Sequence, residues 1–179
     1  MKIKMDRITL RPFEKEDFEE YKKQISSRKP AKHQYDEGFV DLRGFTADQF
    51  EEKIIRFNKW AEDDHIYVFA VVRNEDQAIL GHVDMLILQR DETQWASGGY
   101  ALHNQFWGQG YGVESLKGLI RMAFEKLNLH RLEAQINLDN TVSVKTAEKA
   151  GMTYECTRKK FIHENGEWTD HLIYVIYAD

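Results

Sequence analysis

The sequence predicts a mixed α+β fold, a largely antiparallel twisted sheet of about seven strands flanked by about four helices. Three observations lead there. Short β-branched and aromatic runs recur with tight turn residues between them, four segments carry apolar residues at helical spacing, and one helical segment opens directly after a run of alternating glycines. At 179 residues the chain is long enough for one substantial core, and it reads as a single domain over residues 1–179.

Residues 7–13 alternate as a short strand that Pro12 ends, and residues 14–25 then carry Phe18, Tyr21 and Ile25 at helical spacing. Residues 26–44 are polar and aperiodic, including Arg28, Lys29, Lys32, His33 and Tyr35, and read as a long loop of the kind that often serves function. Thr46 and Gln49 form a capping box for a second helix with Phe50, Ile54, Phe57 and Ala61 on one face. Strands are expected at 66–73, 79–89 and 95–102. Their connections are so short that neighbours must run antiparallel. Leu116, Leu119, Ile120, Ala123, Phe124 and Leu127 then make a continuous apolar stripe on a third helix. A buried strand follows at 131–137, after which Asn140 caps a short fourth helix that Gly151 stops. Strands at about 153–163 and 168–177 are joined through Asn165-Gly166, a dipeptide favoured in two-residue hairpins.

Composition excludes several roles. A net charge of -5, from 25 basic and 30 acidic residues, gives no overall basis for gripping nucleic acid. Cys156 is the single cysteine, so neither an internal disulfide nor a cysteine metal site is expected, and a reducing compartment, the cytoplasm, is the expectation. No apolar run approaches the ~20 residues that span a bilayer, and residues 1–6 lack the apolar stretch of a signal peptide. His163 and His171 lack a third ligand at clear spacing, and no metal is expected.

The chemistry concentrates at Trp107-Gly108-Gln109-Gly110-Tyr111-Gly112. Glycines at alternate positions let the backbone turn sharply and approach a ligand, while the helix behind presents unpaired N–H groups and a positive dipole end. That suits a pyrophosphate, although glycines before a helix also serve simply to turn the chain. A P-loop requires Gly-Lys-Ser/Thr, whereas Gly112 is followed by Val113-Glu114. A dinucleotide fingerprint needs a third small residue where Val113 stands and a first parallel strand before it.

With these pieces the chain resembles the GNAT superfamily of acetyltransferases, and most closely the branch that acetylates the N-termini of ribosomal proteins. The resemblance rests on Gly99-Tyr100-Ala101-Leu102, the stretch Trp107 to Glu114, Asn140 with Ser143, Glu148 to Met152, and Asn165-Gly166 with Trp168 and Asp170. It implies acetyl-CoA as co-substrate and an amine acceptor as partner, with the protein a monomer or homodimer. It also implies that strand 95–102 carries a bulge and splays from strand 131–137, with the pantetheine arm lying between them. Pyrophosphate would sit on Gly108 to Gly112, including Gln109 and Tyr111, while Trp107 favours the ribosomal-protein branch and Asn140 and Ser143 approach the thioester end. Ala147 stands where many members place an acidic tyrosine, so Ser143 is the substitute that reprotonates the thiolate.

A backbone N–H near Leu102 is expected to stabilise the oxyanion, with Asp84, Glu133 and His103 as candidates for the base. The simpler reading, which outweighs that role, makes Asp84 and Glu133 solvated strand residues and His103 a loop histidine. The expected reaction is direct attack of a protein α-amine on acetyl-CoA within a ternary complex. Alternatives are a small amine such as a polyamine or aminoglycoside, and a non-catalytic acyl-CoA sensor.

Overall fold

The computed structural model describes residues 1–178. One eight-stranded sheet organises them. In chain order its strands are β1 (Ile3–Lys4), β2 (Ile8–Arg11), β3 (Ile66–Arg73), β4 (Ile79–Gln89), β5 (Trp95–Leu102), β6 (Arg131–Asn137), β7 (Thr153–Glu164) and β8 (Glu167–Tyr177), and across the sheet they run β1-β2-β3-β4-β5-β6-β8-β7. The helices are α1 (Phe18–Ser26), α2 (Ala47–Glu62), α3 (Tyr111–Arg121) and α4 (Thr141–Ala150). Every pairing is antiparallel except β5 with β6.

The local signals explain these elements. Thr46 Oγ1 accepts from Gln49 N at 3.3 Å while Gln49 Oε1 accepts from Thr46 N at 3.0 Å, the reciprocal box that starts α2. Asn165 and Gly166, with φ of 51° and 87°, form the two-residue β7–β8 turn, a conformation with both central residues at positive φ that matches the strand twist. The apolar stripe of α3 enters a core with Val83, Met85, Ala96 and Leu132 on one face of the sheet, and the chain continues past α3 as a π-helical turn, Met122–Lys126. On the other face, Phe13, Phe50 and Ile54 pack against Ala70, Val72 and Ile79. The strand β1, absent from the sequence reading, adds two residues to the edge through Ile3 opposite Leu10.

Two findings concern the site, and the first is a correction. First, β5 carries no bulge over 99–102, since its register with β4 runs unbroken from Ser97 opposite Leu86 to Leu102 opposite Gly81. The irregularity lies in β4, where Leu80 is extra against β3 and Gly81 adopts φ +148°, so β4 absorbs the bend. Second, β5 and β6 pair in parallel over only Trp95–Arg131, Ala96–Leu132 and Ser97–Glu133. Beyond them the strands separate. The expected splay is present without a bulge in β5.

A side chain at Gly81 would place its Cβ 2.1 Å from the Ala101 carbonyl oxygen, whereas one at Gly99 would meet nothing within 4 Å. Gly81→Ala is therefore expected to destabilise the protein by about 3 kcal/mol and Gly99→Ala by less than about 1 kcal/mol, measured by urea unfolding.

Candidate active site

The splay leaves one edge of β5 unpaired. His103 N donates to Leu80 O on the β4 side at 2.8 Å, so strand alternation turns the peptide groups of Tyr100 and Leu102 towards β6, into the gap. The Leu102 carbonyl there accepts a bond from Trp107 Nε1 at 2.8 Å, which ties the end of β5 to the start of the glycine loop. Gly108 and Gly110 have φ of +79° and +83° and lie exposed at the N-terminus of α3. Such backbone favours glycine and brings several N–H groups to one place, the arrangement that binds phosphate oxygens. Gln109 is exposed; the Tyr111 side chain instead is buried in the core, so only its backbone belongs to the loop. Gly112 is kept free of a side chain by Tyr100, whose ring a Cβ would meet at 3.3 Å.

Across the gap, Asn140 caps α4, its Oδ1 accepting from Ser143 N at 3.2 Å. The Ser143 hydroxyl is half-buried and makes no hydrogen bond among the described residues. Residues 27–46 form a strap from one side of the gap to the other. Asn104, just past β5, clasps Lys29 through both backbone groups (2.7 and 2.8 Å), and His33 stacks on Trp107 at 5.3 Å. At the far end Gln34 donates to Asp139 at 2.8 Å and the Tyr35 hydroxyl bonds to the same carboxylate.

The face of β5 supplies a second feature. Gly98 points at Leu119 and Leu132 in the core, so Gly99 and Ala101 lie on the opposite face, where Gly99 has open space above it and Ala101 is exposed. Their cross-strand neighbours are Asp84 and His82. The result is a trough floored by two small residues, bounded by Asp84 and His82 on β4 and ended by His103. The Asp84 carboxylate makes no hydrogen bond among the described residues, and burial raises its pKa, partly offset by His82. Burial also lowers His82.

His103 is buried, and its Nδ1 accepts from Arg28 Nε at 2.9 Å. Burial, then the charges of Arg28 and His82, press its pKa down to about 3. The ring is therefore neutral with its proton on Nε2, and that nitrogen is buried without a partner among the described residues.

Glu133 lies away from the trough. Fully buried where β5 and β6 last pair, it accepts from Arg158 (2.7 and 3.0 Å), Arg131 (3.1 Å), Gln135 (3.0 Å) and Trp95 Nε1 (3.1 Å). Burial pushes its carboxyl up, but the bonds from Arg158, Gln135 and Arg131 more than reverse this and hold it as an anion. His171 is likewise away from the trough, its Nε2 3.6 Å from Glu164, and His163 sits opposite Trp168. Among the described residues no three His, Cys, Asp or Glu side chains gather as metal ligands, and no helix is long and apolar enough to cross a membrane.

A family model for the acetyltransferase (GNAT) domain matches residues 7–153. The chain belongs to the GNAT acetyltransferases. Bacillus subtilis YjcK, a probable N-acetyltransferase, is 30% identical over 132 residues, 74% of this chain and 73% of YjcK. The fold is similar to that of the ribosomal-protein-S5-alanine acetyltransferase of Vibrio fischeri, with a TM-score of 0.74 and 20% identity over 100% of this chain and 97% of the other. A chimera of the Vibrio cholerae spermidine N-acetyltransferase SpeG is similar at a TM-score of 0.70 and 19% identity, covering 96% of each chain. GNAT acetyltransferases draw their acetyl group from acetyl-CoA, and CoA-bound complexes are among the proteins of this fold. The function of this GNAT protein is thus acetyl transfer.

Residues to which the sequence assigns no role are His82, placed opposite Ala101 by the β4–β5 register, and the strap's anchors Asn104 and Asp139, brought in by pairings across 75 and about 105 positions. Glu133→Ala is expected to cost about 3 kcal/mol, because two arginines lose a buried partner. The sign with pH follows from the depressed carboxyl: the Glu133 contribution is complete above the unfolded pKa and disappears as pH falls through the lower folded value. Urea unfolding at pH 7 and at pH 3 should show a large wild-type-to-variant difference at the first and a smaller one at the second.

Proposed function

We propose that the chain transfers acetyl from acetyl-CoA to a protein N-terminal α-amine by direct attack in a ternary complex. The observation that carries this reading is that β5 has an edge unpaired beyond Ser97 and an open Gly99–Ala101 face, the edge suited to a pantetheine arm and the face to an amine. Pyrophosphate rests on the N–H groups of Gly108, Gln109, Gly110, Tyr111 and Gly112, with Trp107 bracing the loop, and Asn140 meets the pantetheine. The acceptor enters the trough beneath the strap.

In the reaction the amine nitrogen attacks the thioester carbonyl carbon, and the C–N bond forms as the carbonyl oxygen becomes an oxyanion. The Leu102 N–H, turned into the gap, stabilises that charge. Asp84 accepts the amine proton; its freedom from hydrogen bonds and its raised carboxyl pKa suit the task. The C–S bond then breaks, and the Ser143 hydroxyl gives a proton to the departing thiolate and regains one from solvent. Holding both substrates on one strand supplies much of the rate through orientation. Glu133 acts in stability rather than as base, since all its oxygens are engaged.

His103 favours a peptide over a polyamine. A buried N–H without a partner costs about 1–3 kcal/mol, and a ligand bearing an oxygen beside its amine, such as the first carbonyl of a peptide, would supply the acceptor that a polyamine lacks. A second reading, a polyamine, is favoured by the acidic rim of Asp36, Glu37, Asp139 and Glu164 and by the likeness to the spermidine enzyme's fold. Those four carboxylates are already bonded to Asn104, Arg28, Gln34 and Asn137 respectively, which weakens it.

Asp84→Asn should lower kcat/KM by roughly 10² to 10⁴-fold and leave binding of acetyl-CoA unchanged. In the wild type, kcat/KM should fall as pH drops through a value above the ordinary carboxylate range, because protonated Asp84 cannot accept a proton; the variant should lack that limb. Thiol release measured with a peptide panel, polyamines, aminoglycosides and amino acids should favour peptides, and His103→Ala should reduce that preference about tenfold. Equal rates on spermidine and peptides in the wild type would refute the peptide assignment.

A further inference from the structure

Arg7 lies between β1 and β2, remote in sequence from the glycine loop, yet it contacts the loop and the first turn of α3 at three points. Its backbone N–H donates to Glu114 Oε1 at 2.7 Å, its Nε to Glu114 Oε2 at 2.8 Å, and its Nη1 to the Gln109 carbonyl at 2.9 Å. The guanidinium lies over the Tyr111 ring, 4.6 Å from its centre. Its remaining nitrogen, Nη2, makes no hydrogen bond among the described residues and sits beside Gly110, 3.3 Å from where a Cβ there would stand.

Each contact has a consequence for an anion. A trans peptide is planar with its C=O and N–H antiparallel, so drawing the Gln109 carbonyl towards Arg7 turns the Gly110 N–H the opposite way. The glycines that let the loop approach a ligand also let that peptide rotate, and Arg7 removes the freedom. Glu114 poses a second difficulty. A carboxylate in the first turn of α3 complements the helix dipole but repels a phosphate placed at the same end. Pairing with Arg7 cancels that charge, and Nη2 adds an unused N–H on the loop's flank.

We propose that Arg7 is the positioning residue of the phosphate loop, holding the Gln109–Gly110 peptide in its anion-receiving orientation and neutralising Glu114 before the donor arrives. The proposal rests on the reading of residues 108–112 as the pyrophosphate grip of acetyl-CoA. It concerns the donor only, so the acceptor should not register the loss of Arg7.

The test compares acetyl-CoA with S-acetyl-pantetheine, which carries the same thioester but lacks the diphosphate and the adenosine 3′-phosphate beyond it, as donors to one peptide amine. For the wild type, kcat/KM should favour acetyl-CoA strongly. Arg7→Ala should lower that ratio at least tenfold through a higher KM for acetyl-CoA, with a far smaller change for S-acetyl-pantetheine and an unchanged KM for the peptide. Arg7→Lys, which keeps the charge but cannot bridge Glu114 and Gln109 together, should lower the ratio by an intermediate amount and carries the test should the alanine variant fail to fold. Equal losses with both donors, or a preserved ratio, would overturn the proposal. A wild type that does not distinguish the two donors would overturn the pyrophosphate reading, and this proposal with it.

Discussion

The parallel pairing of β5 with β6 lasts three residues, and the site depends on where it stops. Below that point Glu133 gathers Arg131, Arg158, Gln135 and Trp95 into a buried, fully bonded cluster that joins β5, β6 and β7. Above it the strands part, and the peptide groups of Tyr100 and Leu102 have no strand to bond. The Leu102 carbonyl is satisfied by Trp107 Nε1, and the remaining polar groups of this edge are left for a ligand or solvent. The ionic cluster fixes the vertex, and β8, paired with β6 along all seven of its residues, prevents the opening from closing by a slide of β6 towards β5.

The remaining parts follow from that geometry. Since β5 ends at the gap, the chain leaving it must turn immediately, and the glycines place the N-terminus of α3 at the mouth. Trp107 then links the two by bonding the Leu102 carbonyl and supporting His33 of the strap. The glycine loop, the end of β5 and the strap thus share one tryptophan. On the reverse face of the same strand, Gly99 and Ala101 leave room beside Asp84, whose burial without a hydrogen bond raises its affinity for a proton.

Much of this was legible in sequence because it is local. The strands 66–73, 79–89, 95–102 and 131–137 stand at the expected bounds, being β-branched runs between turn residues, and Thr46, Asn140 and Asn165-Gly166 each perform the capping or turning chemistry that their types imply. What escaped depends on distant pairing. Two residues of β1 carry no periodicity to detect. The bend falls in β4 at Leu80 and Gly81, where the resemblance put it in β5, because it is set by register against β3. Glu133 looked like a candidate base on a splayed strand, and only the arrival of Arg158 from β7 engages its oxygens. His103 read as a loop histidine until Arg28, 75 positions away, fixed its tautomer.

The central claim is that one strand holds donor and acceptor together and that acetyl passes directly between them. Initial rates of CoA release, with acetyl-CoA and a peptide amine varied against each other and the product identified by mass spectrometry, test it most directly. Direct transfer gives intersecting double-reciprocal lines and a peptide acetylated on its α-amine. Parallel lines with acetyl found on the protein, or no amine-dependent CoA release at all, would contradict it.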